Sequence, residues 1–285
     1  MLAAHAPNAV IDATVLNAVG APTALTARAS IALVEANPGS YWHDSAGGKI
    51  YVRAVDSRAP DTKLRVLRDQ QTNGWVNSNV SLYVERLTFE GGNQRAFYGQ
   101  RYAAATFVDC AFWHSSRQGM ELNSSTAGVT QSTYLIRCRA LSNAGDGFGA
   151  TASGAGTIVQ WFEWDCEAAG NSGASSDEGS SVHKSAGNGA VTSIRVGGSY
   201  HGNKTDGIAD VGGMQSWVVG SHIYSEAGTS GFYCGDASTA WLHGVTLTGN
   251  AADITTDNAG GTVNVDGSTI YATTAGAGTV ARYTP

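Results

Sequence analysis

Charge is scarce in this sequence. Asp, Glu, Lys and Arg together make up 14% of 285 residues, and the net charge is −6. No basic cluster interrupts that balance, so neither nucleic acid nor an anionic membrane surface is an expected partner. No apolar run reaches the roughly 18–20 residues of a membrane helix. The segment Met1 to Val10 has neither the charged start nor the unbroken apolar stretch of a signal peptide. There is no G-x-x-x-x-G-K-S/T loop, no dinucleotide fingerprint in a βαβ unit and no G-x-S-x-G elbow, which excludes nucleotide and α/β-hydrolase chemistry. Only four cysteines occur, with no C-x-x-C pair and no histidine spaced to join them, so no metal centre is expected. Helical periodicity is nearly absent as well. The 42% hydrophobic content nevertheless excludes a disordered chain.

What is present is repetition. Val108-Asp109-Cys110-Ala111-Phe112 returns as Ile136-Arg137-Cys138-Arg139-Ala140 and again as Trp164-Asp165-Cys166-Glu167-Ala168. A second landmark, Gln118-Gly119-Met120, becomes Asp146-Gly147-Phe148, Glu178-Gly179-Ser180, Asp206-Gly207-Ile208 and Ser230-Gly231-Phe232, with glycine spacings of 28, 32, 28 and 24. Periods of this size mark stacked repeats. The repeats are rich in Val, Ile, Thr, Tyr and Trp and are punctuated by Gly, Asn, Ser and Asp, the composition of short strands and tight turns. The expected fold is all-β: a parallel β-solenoid of eight or nine coils, whose core grows along one axis and so escapes the usual size limit of a single domain. Cys110, Cys138 and Cys166 then form a ladder of small buried thiols.

In chain order, residues 1–23 read as an irregular lead-in. Residues 24–36 read as the one helix, stopped by Asn37-Pro38-Gly39 and suited to cover an open end of the solenoid. Tyr41 to Asp44 and Lys49 to Arg53 read as a hairpin. Lys63 to Leu67 reads as the first coil strand, and Arg86 as the backward continuation of the cysteine ladder. The expected division is 1–60 for lead-in, helix and hairpin, and 61–285 for the solenoid. From about 106 to 194 the repeats are longest, and extra loop residues on one side of a solenoid commonly mark its binding face.

The turns Asn143 to Phe148 and Asn203-Lys204-Thr205-Asp206-Gly207-Ile208 resemble those of the right-handed parallel β-helix proteins of the pectate-lyase-like superfamily. The opening Glu35-Ala36-Asn37-Pro38-Gly39-Ser40-Tyr41-Trp42, with Ile50 to Arg53 and Asp56 to Pro60, is similar to that of bacteriophage tail-spike and related polysaccharide-processing β-helices. The resemblance implies a right-handed coil, an extracellular or virion-surface location, a polysaccharide partner and a homotrimer, while a monomer is equally compatible with the sequence. It brings no catalytic signature, because the superfamily hosts lyases, hydrolases, epimerases and inert spikes.

Stacking turns sequence position into space. Asp146, Glu178 and Asp206 precede successive landmark glycines, so they should form one column with about 5 Å between rungs. One rung apart suits the ~5–5.5 Å of a retaining glycosidase pair, and two rungs apart suits the ~6.5–9.5 Å of an inverting pair. The same residues are equally expected from turn chemistry alone, since Asp caps backbone donors and Gly accepts positive φ. His183, with Lys184 beside it, is the alternative base for a lyase acting on a uronic acid polymer. Arg117, Glu121, His201 and Asp210 are expected substrate contacts. Trp113, Trp161, Trp164 and Tyr233 are expected sugar platforms. No cofactor is required; calcium is the one ion such carboxylate turns could take. The expected function is polysaccharide binding and cleavage, hydrolase ahead of lyase, with a non-catalytic glycan-binding or structural spike as the alternative.

Overall fold

The computed structural model describes residues 7–68, 72–77, 79–173, 177–185, 189–224, 226–257 and 259–285. The first six residues of the segment tested for a signal peptide therefore lie outside the described residues. The chain forms a parallel β-solenoid of about eight turns. Each full turn lays one strand in each of three sheets. Sheet I has nine strands, from Thr72–Val76 to Thr274–Gly276. Sheet II also has nine, from Ser81–Glu85 to Thr279–Arg282. Sheet III has seven shorter ones, from Thr88–Glu90 to Thr246–Thr248. All pairs within these sheets are parallel and join equivalent residues of successive repeats, as in Met120 to Phe148 and Leu135 to Glu163.

Alternation decides what is inside. Along Thr130–Ile136 and Ala190–Val196, every second residue is buried. The inward residues stack into columns, for example Phe97, Met120, Phe148 on sheet I, capped sideways by Phe107 and Phe112 at ring distances of 4.9 to 6.5 Å. Cys110, Cys138, Cys166 and Cys234 are all buried and free. The first three form the expected ladder, with Cys138 Sγ donating to Phe107 O and Cys166 Sγ to Leu135 O, each at 3.4 Å.

The corner just before those cysteines explains part of the repeat. Asp109, Arg137 and Asp165 have φ of 52°, 51° and 48°, and Gly197, Gly220 and Gly244 take over the same position with φ of 65°, 64° and 61°. Arg86, with φ 54°, belongs to this corner column and not to the cysteine column one residue on. The landmark glycines have a different cause. None of Gly147, Gly179 and Gly207 has positive φ. Instead the carbonyl oxygen of the next rung's glycine lies 2.5 to 2.8 Å from where their Cβ would stand. Close rung approach, not a left-handed turn, demands glycine there.

The N-terminal region differs from expectation in three ways. Pro7–Leu16 is a ten-residue strand, antiparallel to Pro22–Ala24 and to Leu64–Arg68. It is pinned by Asp12, which accepts from the Arg58 guanidinium at 2.7 and 2.9 Å. Hence Lys63 to Leu67 is no coil strand; the coil starts at Thr72–Val76. The helix is only Ile31–Ala36, because Thr26–Ala27 pairs with Ser40 and Tyr41 and Ser30 caps the helix through Leu33 N. The hairpin Ser40–Asp44 with Lys49–Arg53 is as expected. The turn between Pro7–Leu16 and Pro22–Ala24 lies on the outside of sheet III, where Val19 and Ala21 cover Leu141, Ala169 and Trp113.

Candidate active site

The outer face of sheet I carries the carboxylates. Its strand pairing stacks Tyr98, Glu121, Gly149, Ser181, Ala209 and Tyr233 in one outward column. Gly149, Ser181 and Ala209 are small and buried, flanked by Glu121 and then Tyr98 on one side and by Tyr233 on the other. Asp146, Glu178 and Asp206 border these small residues, in the turns that lead into sheet I. Their backbones stack directly: Gly147 N donates to Glu178 O at 2.9 Å and Gly179 N to Asp206 O at 2.9 Å. Asp146 Oδ2 lies 3.6 Å from where a Cβ on Gly149 would stand, which places the carboxyl over the small-residue column. The register of Asn171 with Asn203 and of Gly179 with Asp206 puts the four extra residues of the longest repeat between Asn171 and Gly179 in sequence.

The three carboxyls are 9%, 7% and 6% exposed. Burial pushes the Asp146 carboxyl well above the usual range, and the hydrogen bond to the neighbouring Glu178 carboxyl pushes it the same way. The pair therefore holds a proton at pH values where an ordinary Asp has lost it. Asp146 Oδ1 also accepts from Glu178 N at 3.3 Å. Glu178 Oε2 is buried without a hydrogen-bond partner. Burial also raises Asp206, although Thr229 and Ser230 donate hydroxyls to its Oδ1 at 2.7 and 2.5 Å.

His183 lies on the same face, two residues along from Ser181, whose Oγ is hydrogen-bonded to His183 Nε2. Burial holds its pKa below the ordinary histidine value, so the ring is neutral near pH 7. Glu121 is paired with Arg95, and the Arg95 guanidinium sits 4.3 Å over the Tyr98 ring. Lys184 ends the same strand, half-buried. Arg117 is exposed in the turn before Gln118, its backbone against Gly145.

The remaining expected site residues lie elsewhere. Asp210 points into the solenoid and forms a bidentate pair with Arg195, both bonds 3.0 Å, with neither side chain exposed. It contacts no groove. Arg195 also donates to Glu163 at 3.2 Å, and Glu163 accepts from Trp161 Nε1, Ser180 Oγ and Tyr200 OH at 2.6, 2.6 and 2.8 Å. Trp161 is thus a core residue and no sugar platform. Trp113 is packed under Val19 and Ala21 on sheet III. His201 is also on sheet III, stacked on Tyr224 at 4.6 Å and bonded to Glu167 at 3.2 Å. Trp164 is exposed, but on the outer face of sheet II. Alternation correctly sends Trp161 and Trp164 to opposite faces; which of them is inside depends on Glu163, whose polarity disguises its inward position.

Sequence reasoning missed Tyr98, Arg95 and Ser181, which only strand register brings to the carboxylates. It also left unread a ladder of amides at the turn between sheets III and I. Asn143 Nδ2 donates to Asn171 Oδ1 at 3.0 Å, and Asn171 Nδ2 to Asn203 Oδ1 at 2.9 Å. On the next rung Glu226 takes the asparagine's place, accepting from Asn203 N at 2.6 Å, and burial raises its carboxyl to about 8. Among the described residues, no group of three or more His, Cys, Asp or Glu side chains is arranged to hold a metal ion. No family model, curated protein or solved structure matches this chain.

Proposed function

We propose that this protein binds a polysaccharide along the outer face of sheet I and cleaves it by hydrolysis. The observation that carries the reading is the Asp146–Glu178 pair, two buried carboxyls on adjacent rungs beside a column of small residues, where burial and the neighbouring carboxyl favour the protonated form of Asp146. In this mechanism the protonated pair is the general acid. It donates its proton to the glycosidic oxygen as the bond to the anomeric carbon breaks. Asp206 lies two rungs from Asp146, about 9.6 Å by strand spacing, near the separation of inverting enzymes. It takes a proton from the water that attacks the anomeric carbon. Glu178, between them, keeps Asp146 protonated. Tyr98 and Tyr233 offer ring faces to flanking sugars. The asparagine turns that resemble the pectate-lyase-like superfamily form a continuous ladder here, which supports a place in that superfamily and a site of action outside a cell or on a virion.

One observation favours a second reading. The carboxyls are less than a tenth exposed, and Asp146 accepts from the backbone of the next rung, as a purely structural turn residue does. On that reading the protein is a glycan-binding spike without chemistry. A panel of bacterial and plant polysaccharides, assayed for new reducing ends and for ultraviolet absorbance of unsaturated products, separates the cases. Hydrolysis predicts reducing ends without absorbance, lost by a factor of at least 100 in Asp146→Asn and Glu178→Gln. Absorbance growth abolished by His183→Ala would instead assign a lyase with neutral His183 as base. Binding without products would leave the spike.

A further inference from the structure

The outer face of sheet II has a composition unlike the rest of the surface. Across the five strands from Ala104–Val108 to Gln215–Val219, no outward position carries Asp, Glu, Lys or Arg. The charged residues of these strands, Glu163 and Arg195, are both inside. Strand register instead aligns Tyr134, Phe162, Ile194, Trp217 and Trp241 in a single outward column. Tyr134 and Phe162 ring centroids are 6.0 Å apart, and Trp217 stacks on Trp241 at 4.8 Å with 8° between planes. Tyr134, Ile158, Trp164 and Ile194 are 41%, 42%, 46% and 36% exposed.

We propose that this face is the contact between two copies of the chain, packed sheet against sheet about a twofold axis. The size fits. Tyr134, Ile158, Trp164 and Ile194 alone present on the order of 400 Å² per copy, and the partly exposed Phe162, Trp217 and Trp241 add to it, toward the ~800 Å² that each partner gives to a stable interface. So contiguous an apolar patch is larger than a lone soluble chain ordinarily exposes. The charge fits as well, because a face without ionised groups lets copies with a net charge of −6 meet without like charges opposed across the contact. The shape sets the symmetry. A single flat patch is complementary to itself, which gives a closed isologous dimer, whereas a threefold ring needs two different surfaces on each chain. Two such faces pack about 10 Å apart, their aromatic columns interleaved.

Sedimentation velocity and light scattering on the 285-residue chain at tens of micromolar test this. A mass twice that of the chain is expected. Trp164→Glu and Ile194→Lys, each placing a charge at an outward position that the fold does not need apolar, should raise the dimer dissociation constant at least 100-fold with circular dichroism unchanged. Ser199→Glu on sheet III should leave it unaltered. A monomeric or trimeric wild type overturns the proposal, as does a dimer indifferent to both charges. So does a monomer that binds neutral oligosaccharides and loses them in Trp164→Glu, which assigns the face to glycan. The mass measurements and the two charge variants leave the carboxylates of sheet I untouched, so a failed dimer does not disturb the reading of that face.

Discussion

Sheets I and II share nine strands each, one register rule and one core, yet their outer faces are chemically opposite. Sheet I turns outward small residues bordered by carboxyls and an imidazole. Sheet II turns outward aromatic and branched apolar side chains. The backbone ladders and the inward columns stabilise both alike, so neither outer set is required by the coil. The difference teaches where to look for function in a solenoid: alternation fixes the inside, and what the outside carries beyond plain solubility is left for partners.

The comparison holds only if the interior is a common scaffold, and the buried ion network is where that can be broken hardest. Asp210 enters from sheet I and Arg195 from sheet II, so the pair ties the two sheets across the core. Asp210→Ala leaves the guanidinium buried with Glu163 as its remaining carboxylate. The expected loss is about 3–5 kcal/mol in urea unfolding. A loss under about 1 kcal/mol would mean that water reaches Arg195 and that the interior is not shared scaffold at all.

The second test separates the faces by pH. Asp146, Asp206 and Glu226 lie on the sheet I side, and all three carboxyls are raised by burial. A group held above its unfolded pKa stabilises the fold fully below that unfolded value, and its contribution is lost as pH rises through the folded one. For Glu226 the window runs from 4.5 to about 8. Its share of the loss by pH 7 is on the order of 3 kcal/mol. Asp12 works in the opposite sense: the Arg58 hydrogen bonds hold it far below the usual carboxylate range, so its contribution is present above the unfolded value and lost in acid. Stability should therefore peak near pH 4–5 and fall toward pH 8. Glu226→Asn, which completes the amide ladder, should flatten that fall in thermal melts at several pH values. An unchanged slope would show that Glu226 is hydrated and ionised.

How far the sequence discloses all this differs by feature. The solenoid was legible because identical positions recur at fixed spacing, and the cysteine ladder followed directly. The column Asp146, Glu178, Asp206 was legible for the same reason. Residues that depart from their column were not. Glu163, Arg195 and Asp210 look like surface charges because no local pattern announces that three polar groups from three strands will satisfy one another inside. Trp113 and His201 were placed in the groove by proximity in sequence, but the corners at Asp109 and Gly197 turn their strands onto a third face. The strand Pro7–Leu16 was missed because it is the centre of a small antiparallel sheet whose partner Leu64–Arg68 lies far along the chain and whose other partner, Pro22–Ala24, is only three residues long, so no local pattern announces it.

A bulky side chain in the small-residue column tests function on sheet I directly. Gly149 has ordinary φ, and a Cβ there meets nothing nearer than 3.6 Å. Gly149→Trp should abolish polysaccharide binding on sheet I with the far-ultraviolet circular dichroism of the solenoid unchanged. The same residue placed on sheet II, as Thr192→Trp, should leave polysaccharide binding intact. If both or neither abolish it, the assignment of the two faces is wrong.

The smallest expected effect is the sharpest check on the idea that sheet II's apolar exterior is unneeded by the monomer. Ile194→Thr keeps a β-branched side chain that suits a strand and removes only apolar atoms that are more than a third exposed. At concentrations too low for self-association, its unfolding free energy should match the wild type within about 0.5 kcal/mol. At high concentration, where the wild type gains stability from dimerisation, the variant should gain less, since anything that binds only the folded form stabilises it by mass action. A deficit present at all concentrations would mean that Ile194 is held by Phe162 and Trp217 within its own chain, and that the aromatic column belongs to the scaffold after all.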